Sequence, residues 1–112
     1  MSAPRVLVVD DEISIRRTLR EILEHENLEV HEAADGNQAL AKLRKHTFDV
    51  VLLDIKMPKQ DGLQVLSTCV DTWPELPVIM ISGHADIKTA VKATHSGAFI
   101  SLKNRQISST FW

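Results

Sequence analysis

Three carboxylates at the ends of two apolar runs are the residues best placed to do chemistry in this chain. Val6-Leu7-Val8-Val9 leads into Asp10-Asp11-Glu12, and Val50-Val51-Leu52-Leu53 leads into Asp54. Four apolar residues in a row, rich in β-branched side chains, suit a parallel strand covered on both faces. In open α/β sheets ligands bind beyond the carboxyl ends of the strands, where the strand order reverses, so Asp10, Asp11 and Asp54 are expected to converge there. At about 4 Å and an effective dielectric of about 20, each like-charge pair costs roughly 4 kcal/mol. A cation should occupy such a site, and Mg²⁺ accepts a set of carboxylates, a backbone carbonyl and waters. An aspartate held beside that ion can act as a nucleophile toward phosphorus and form an acyl phosphate. Ser82, which closes a fourth apolar run, could donate a hydrogen bond to the phosphoryl oxygens.

The elements that must position these groups alternate along the chain. Ile15, Leu19, Ile22 and Leu23 recur at helical spacing, with Arg16, Arg17, Arg20, Glu21 and Glu24 on the other faces. Residues 28 to 34 alternate weakly as a second strand, Asp35-Gly36 punctuates it, and Ala39, Leu40 and Leu43 mark a short helix. Residues 48 to 53 read as the third strand, and the proline and glycine of 57 to 62 as a loop. Leu63, Leu66 and Val70 then mark a helix closed by Trp73-Pro74, and residues 77 to 81 a fourth strand. Asp86 could cap a further helix stopped by Gly97, with a fifth strand over 98 to 102. This alternation implies an α/β fold of the flavodoxin-like, doubly wound parallel type, with strand order 2-1-3-4-5.

Composition sets the boundaries of function. A chain of 112 residues is one domain, and 44% hydrophobic with 25% charged residues is an ordinary globular balance. No apolar run exceeds four residues, so neither a signal peptide nor a membrane helix is expected, and the cytoplasm is the natural compartment. The 13 basic and 15 acidic residues are intermixed and leave no positive stripe, which speaks against direct nucleic-acid binding. The lone Cys69 reads as a small core residue. The five histidines form no close ligand pair in the sequence, and no zinc site is expected.

Val9-Asp10-Asp11-Glu12, Asp54-Ile55-Lys56-Met57-Pro58, Asp61-Gly62 and Ser82-Gly83, taken in that order, resemble the signature of response-regulator receiver domains of two-component signalling over about residues 4 to 99. The stretch Ile81-Ser82-Gly83-His84-Ala85-Asp86 through Ala90-Val91-Lys92-Ala93 is similar to receivers of nitrogen-regulation-type transcriptional activators. The resemblance implies that Asp54 accepts a phosphoryl group from the histidine of a sensor histidine kinase. Asp11, Asp54 and the backbone carbonyl of Lys56 would ligate Mg²⁺, and Asp10 would hold it mainly through water. Ser82 would be the switch hydroxyl, and Lys56 and His84 match positions that tune acyl-phosphate lifetime. Phosphorylation would reshape a partner-binding or dimerisation face, and the only reactions catalysed would be the domain's own phosphotransfer and hydrolysis. The first helix, with Arg16, Arg17 and Arg20, reads as a solvated face, one that in receivers contributes to kinase docking.

The end of the chain departs from the family pattern. Receivers close the fifth strand with Lys-Pro and carry an aromatic residue three positions earlier; here Phe99 lies four before Lys103, and Asn104 follows it. Lys103 could still reach the phosphoryl group if strand alternation holds from 98 to 103. Residues 1–103 would then form the receiver domain, and 104–112 an atypical tail without the apolar stripe of a fifth helix. Loss of that helix would bare part of one sheet face and favour self-association. The competing reading is a phosphorylation-independent dimerisation or docking module on the same fold. A haloacid-dehalogenase-type phosphatase is disfavoured because Lys56 stands where its second acid belongs.

Overall fold

The computed structural model describes residues 3–54, 56, 57 and 59–81. The expected fourth helix, fifth strand and 104–112 tail lie outside the described residues, as do Ser82, His84 and Lys103. Within them the order is β1 (Arg5–Val9), α1 (Ile13–His25), β2 (Glu29–Ala33), α2 (Gly36–Lys45), β3 (Val50–Asp54), α3 (Lys59–Thr72) and β4 (Val78–Ile81). The strands form one sheet of order β2-β1-β3-β4, and every pairing is parallel. The expected doubly wound arrangement is present, with its switch point between β1 and β3.

Strand alternation divides the core into two layers. Val6 and Val8 of β1, Val50 and Leu52 of β3, and Ile79 and Ile81 of β4 pack in one cluster with Ile15, Leu19 and Leu23 of α1. Leu7, Val9, Val51 and Leu53 face the other way, onto Ala39, Leu40 and Leu43 of α2 and Val65 and Cys69 of α3. Because β1 and β3 are buried on both faces, their apolar runs are continuous rather than alternating. Full burial of each large aliphatic side chain in these layers contributes roughly 1.5–3 kcal/mol relative to leaving it exposed. Val50, Leu52, Ile79 and Ile81 are buried in the same cluster as Ile15, Leu19 and Leu23. The expected loss of a fifth helix, and the bare face that would follow from it, lie outside the described residues.

Local signals fix the helix ends. At the C-terminus of α1, the Leu28 N–H donates to the Leu23 carbonyl and the Asn27 N–H to the Glu24 carbonyl, with Asn27 at φ 66°. This six-to-one, five-to-two pair needs a left-handed residue, and asparagine accepts that conformation more readily than most. Leu23 and Leu28 then pack in the same cluster and set the return into β2. At the start of α2, Asp35 Oδ1 accepts the Gln38 N–H at 2.8 Å, while Gln38 Oε1 accepts the Ala34 N–H at 2.8 Å. Asp35→Ala removes the cap and is expected to cost about 1 kcal/mol. Urea denaturation reads this directly, and an unchanged midpoint would show that the cap adds nothing.

Three expectations are corrected by the structure. Residues 59–62, expected within a loop, form the first turn of α3. Asp54 is the last residue of β3, where the run was expected to end at Leu53. On α3, Leu63 and Val70 are 54% and 60% exposed, and the buried positions are Val65 and Cys69, with Leu66 partly buried. Apolar residues surround this helix, so two stripes satisfy helical spacing and periodicity alone cannot choose between them. Cys69 is a core residue as expected, and burial pushes its thiol up to about 11.

Candidate functional site

The register between β1 and β3 brings the acids together. Val6 pairs with Val50, Leu7 with Val51, Val8 with Leu52 and Val9 with Leu53. One further step sets Asp10 beside Asp54 on adjacent strands, whose spacing is about 4.8 Å. Asp11 follows at the exposed edge of the same cluster. One carboxylate oxygen from each of Asp10, Asp11 and Asp54 lies within 4.8 Å of the others. Asp10 and Asp54 are 0% and 2% exposed, whereas Asp11 is exposed.

The two buried acids are held by the same device. Asp10 Oδ1 accepts the Glu12 N–H at 2.8 Å, and Asp54 Oδ1 accepts the Lys56 N–H at 2.9 Å. Each is an aspartate turn closing onto the amide two residues on, which fixes one oxygen and the side-chain torsion. Asp10 Oδ2 is buried with no hydrogen-bond partner. An unsatisfied buried carboxylate oxygen is costly, so this atom favours either a positive partner or a proton shared with Asp54.

Electrostatics point the same way. Burial pushes the Asp10 carboxyl up to about 7, aided by the charges of Asp54 and Asp11, and the hydrogen bond from Glu12 only partly opposes this. A proton is one way to relieve the crowding, and a divalent cation is another. The donor set is all carboxylate oxygen, two of the three acids are locked in place, and one buried oxygen is orphaned. Those features fit a hard cation such as Mg²⁺.

The sequence-derived trio of Asp10, Asp11 and Asp54 is thus assembled in space, and Lys56 stands next to it with an exposed side chain. Met57, from the same loop, is buried in the layer under α2 and α3. Two features escaped the sequence reading. Arg16 is not on a solvated face: its side chain is 14% exposed, Nη1 donates to the Asp10 carbonyl at 2.7 Å, and Nε pairs with Glu32 at 3.1 Å. A basic residue six positions after the first acid, one turn into the next helix, was the available signal. The imidazoles of His31 and His46, which form no close pair in the sequence, lie with ring centroids 4.9 Å apart, both against Phe48. They come from β2 and the end of α2, a proximity that only the fold creates. Among the described residues neither joins a three-ligand metal cluster.

A doubly wound parallel α/β domain with a cluster of three carboxylates at its switch point is the class that fold and site define. Residues 6–105 match the family described as the response regulator receiver domain. The DNA-binding transcriptional regulator NtrC of Salmonella typhimurium is 44% identical over 94 residues, 84% of this chain and 20% of that protein. The C4-dicarboxylate transport transcriptional regulatory protein DctD of Rhizobium meliloti is 36% identical over 98 residues, 88% of this chain and 21% of that protein. The chain therefore spans about a fifth of the length of these relatives. Among solved structures, the response regulator protein TrrA of Thermotoga maritima, in complex with Mg²⁺-BeF, has a TM-score of 0.67 at 33% identity, covering 82% of this chain and 80% of that one. The BeF3-activated receiver domain of Nitrogen Regulatory Protein C has a TM-score of 0.64 at 36% identity, with 98% of each chain covered. This chain belongs to the response-regulator receiver domains, and its relatives include receivers of the nitrogen-regulation type.

Proposed function

We propose that this domain is the phosphoacceptor of a two-component pair, taking a phosphoryl group from a sensor histidine kinase onto Asp54. The observation that carries this reading is the state of the Asp54 carboxylate. It is buried, anchored through Oδ1 by the Lys56 N–H, and set against two further acids in a chain of the receiver family. The anchored oxygen fixes the carboxylate plane, which leaves Oδ2 as the nucleophile. In the transfer, Oδ2 forms a bond to phosphorus as the bond from phosphorus to the kinase's histidine nitrogen breaks. The imidazole leaves with the electron pair, and the acyl phosphate remains on Asp54. Burial of Asp10 and Asp54 limits competing water at the reacting carboxylate.

Asp11, Asp54 and the Lys56 carbonyl are the residues that would hold Mg²⁺, with Asp10 contributing mainly through water. When bound, the ion supplies the positive charge that offsets the carboxylates and the incoming phosphoryl oxygens. The same reading gives Ser82 the switch hydroxyl, Lys103 a phosphoryl contact, and Lys56 and His84 the tuning of acyl-phosphate lifetime. Mg²⁺ and a beryllofluoride in the Thermotoga maritima neighbour support this assignment. Transcriptional regulators among the relatives support an output through gene control, exercised by parts of those proteins that this chain does not span. No described helix is long and apolar enough to cross a membrane, and coupling to a kinase's phosphohistidine puts the domain in the cytoplasm.

Intact mass spectrometry after incubation with acetyl phosphate tests the proposal. One phosphoryl adduct is expected with Mg²⁺ and none with EDTA. A folded protein that binds Mg²⁺ yet stays unmodified would favour the phosphorylation-independent docking module.

A further inference from the structure

We propose that Arg16 is a positioning residue for the acidic site: its guanidinium pins the Asp10–Asp11 peptide plane and so fixes the two carboxylates that flank Asp54. The inference rests on the phosphoacceptor reading and concerns how this chain holds that site in shape.

The argument begins with the polar groups of Asp10. Its N–H donates to the Ala33 carbonyl at 3.1 Å, and its Oδ1 accepts the Glu12 N–H at 2.8 Å. Its carbonyl lies past the last residue of β1, and the partner it finds is Arg16 Nη1 at 2.7 Å. Every polar group of Asp10 except Oδ2 is therefore committed. The carbonyl belongs to the peptide that joins Asp10 to Asp11, so its orientation sets ψ of Asp10 and φ of Asp11, the backbone torsions that fix how the chain carries the two acids past the strand. One hydrogen bond from a charged donor holds that orientation.

Arg16 can do this because it is itself held. Its Nε donates to Glu32 Oε1 at 3.1 Å, the other oxygen of Glu32 accepts Arg20 Nε at 2.5 Å, and Arg20 Nη1 reaches Glu24 at 2.9 Å. Burial alone would favour the neutral form of Glu32, but hydrogen bonds from Arg20 and Arg16 outweigh it and hold the carboxyl below the usual range. The planar fork of one guanidinium thus spans a strand-end carbonyl of β1 and a carboxylate of β2. An ammonium group is a point charge and cannot reproduce that two-direction geometry.

The sign of one measurement separates position from charge. Removing a cation beside the site would by itself tighten Mg²⁺ binding, since it removes a like-charge repulsion. Loss of position loosens it. Arg16→Met keeps the aliphatic stem and removes the donors, and it is expected to weaken Mg²⁺ binding, measured by calorimetry, roughly tenfold. Phosphoryl incorporation from acetyl phosphate at saturating Mg²⁺ should also slow, a readout that a purely structural role would leave unchanged in the folded fraction. Arg16→Lys retains the charge but not the fork and should fall between Arg16→Met and wild type. Arg17→Met removes an exposed cation from the same turn of α1, outside the chain that holds Arg16, and should stay near wild type. A folded Arg16→Met that binds Mg²⁺ as tightly as wild type or more tightly, with an unchanged rate, overturns the inference. Should that variant not fold, wild-type affinity and rate in Arg16→Lys overturn it equally. Failure of the wild type itself to bind Mg²⁺ or accept phosphoryl would bring down the phosphoacceptor reading, and this inference with it.

Discussion

Asp54→Asn should eliminate the phosphoryl adduct while leaving the protein folded. The amide is nearly isosteric, and its oxygen can still accept the Lys56 N–H that now binds Oδ1. What disappears is the nucleophile, because an amide oxygen carries no full negative charge and forms no stable acyl phosphate. Replacement also removes one of three crowded acids. Metal-free stability should therefore hold or rise as reactivity is lost, an opposition that distinguishes a functional residue from a structural one. Adduct on the variant at the wild-type level would move the acceptor elsewhere.

Without metal, thermal stability should fall as pH rises from about 5 to 8, and Mg²⁺ should restore it at pH 8 but not at pH 5. Asp10 ordinarily titrates at 3.8 and is pushed up to about 7 in the fold. Between those values the folded chain holds a proton that the unfolded chain has released, so stability declines through this window. Below it both states are protonated and the contribution is complete. A tenfold change in proton affinity is worth about 1.4 kcal/mol, so the loss has a ceiling of about 4 kcal/mol. Mg²⁺ competes with this proton and binds best where Asp10 is ionised. His46 works in the opposite sense: partial burial, helped by His31 and Arg5, holds its imidazole below the usual range. Subtracting the profile of Asp10→Asn isolates the aspartate. Melting temperatures in EDTA that do not differ in slope between wild type and Asp10→Asn would show that Asp10 is not the group responsible.

Much of this was readable in advance, for a physical reason. A continuous apolar run followed by an acid says both that the strand is buried on two faces and that its end carries charge, so Asp10 and Asp54 announce element and site together. Helix α1 was equally plain, since Ile15, Leu19 and Leu23 can share only one face. Helix α3 was not, because Leu63 and Val70 fit the same period as the residues that are buried. Arg16 read as solvent-facing because helical spacing does not register a partner on another element; only the placement of Glu32 on β2 reveals it. The meeting of His31 and His46 has the same origin.

The constant offset of 44 residues between partners on β1 and β3 has an evolutionary corollary. Deleting or inserting one residue within either strand would turn its following side chains to the opposite layer and slide one acid past the other by about 3.3 Å. Strand length is therefore inherited as a unit with the chemistry. Descendants of this chain can exchange one aliphatic residue for another in these runs, but a change in their length would cost the core and the acid pair in a single event.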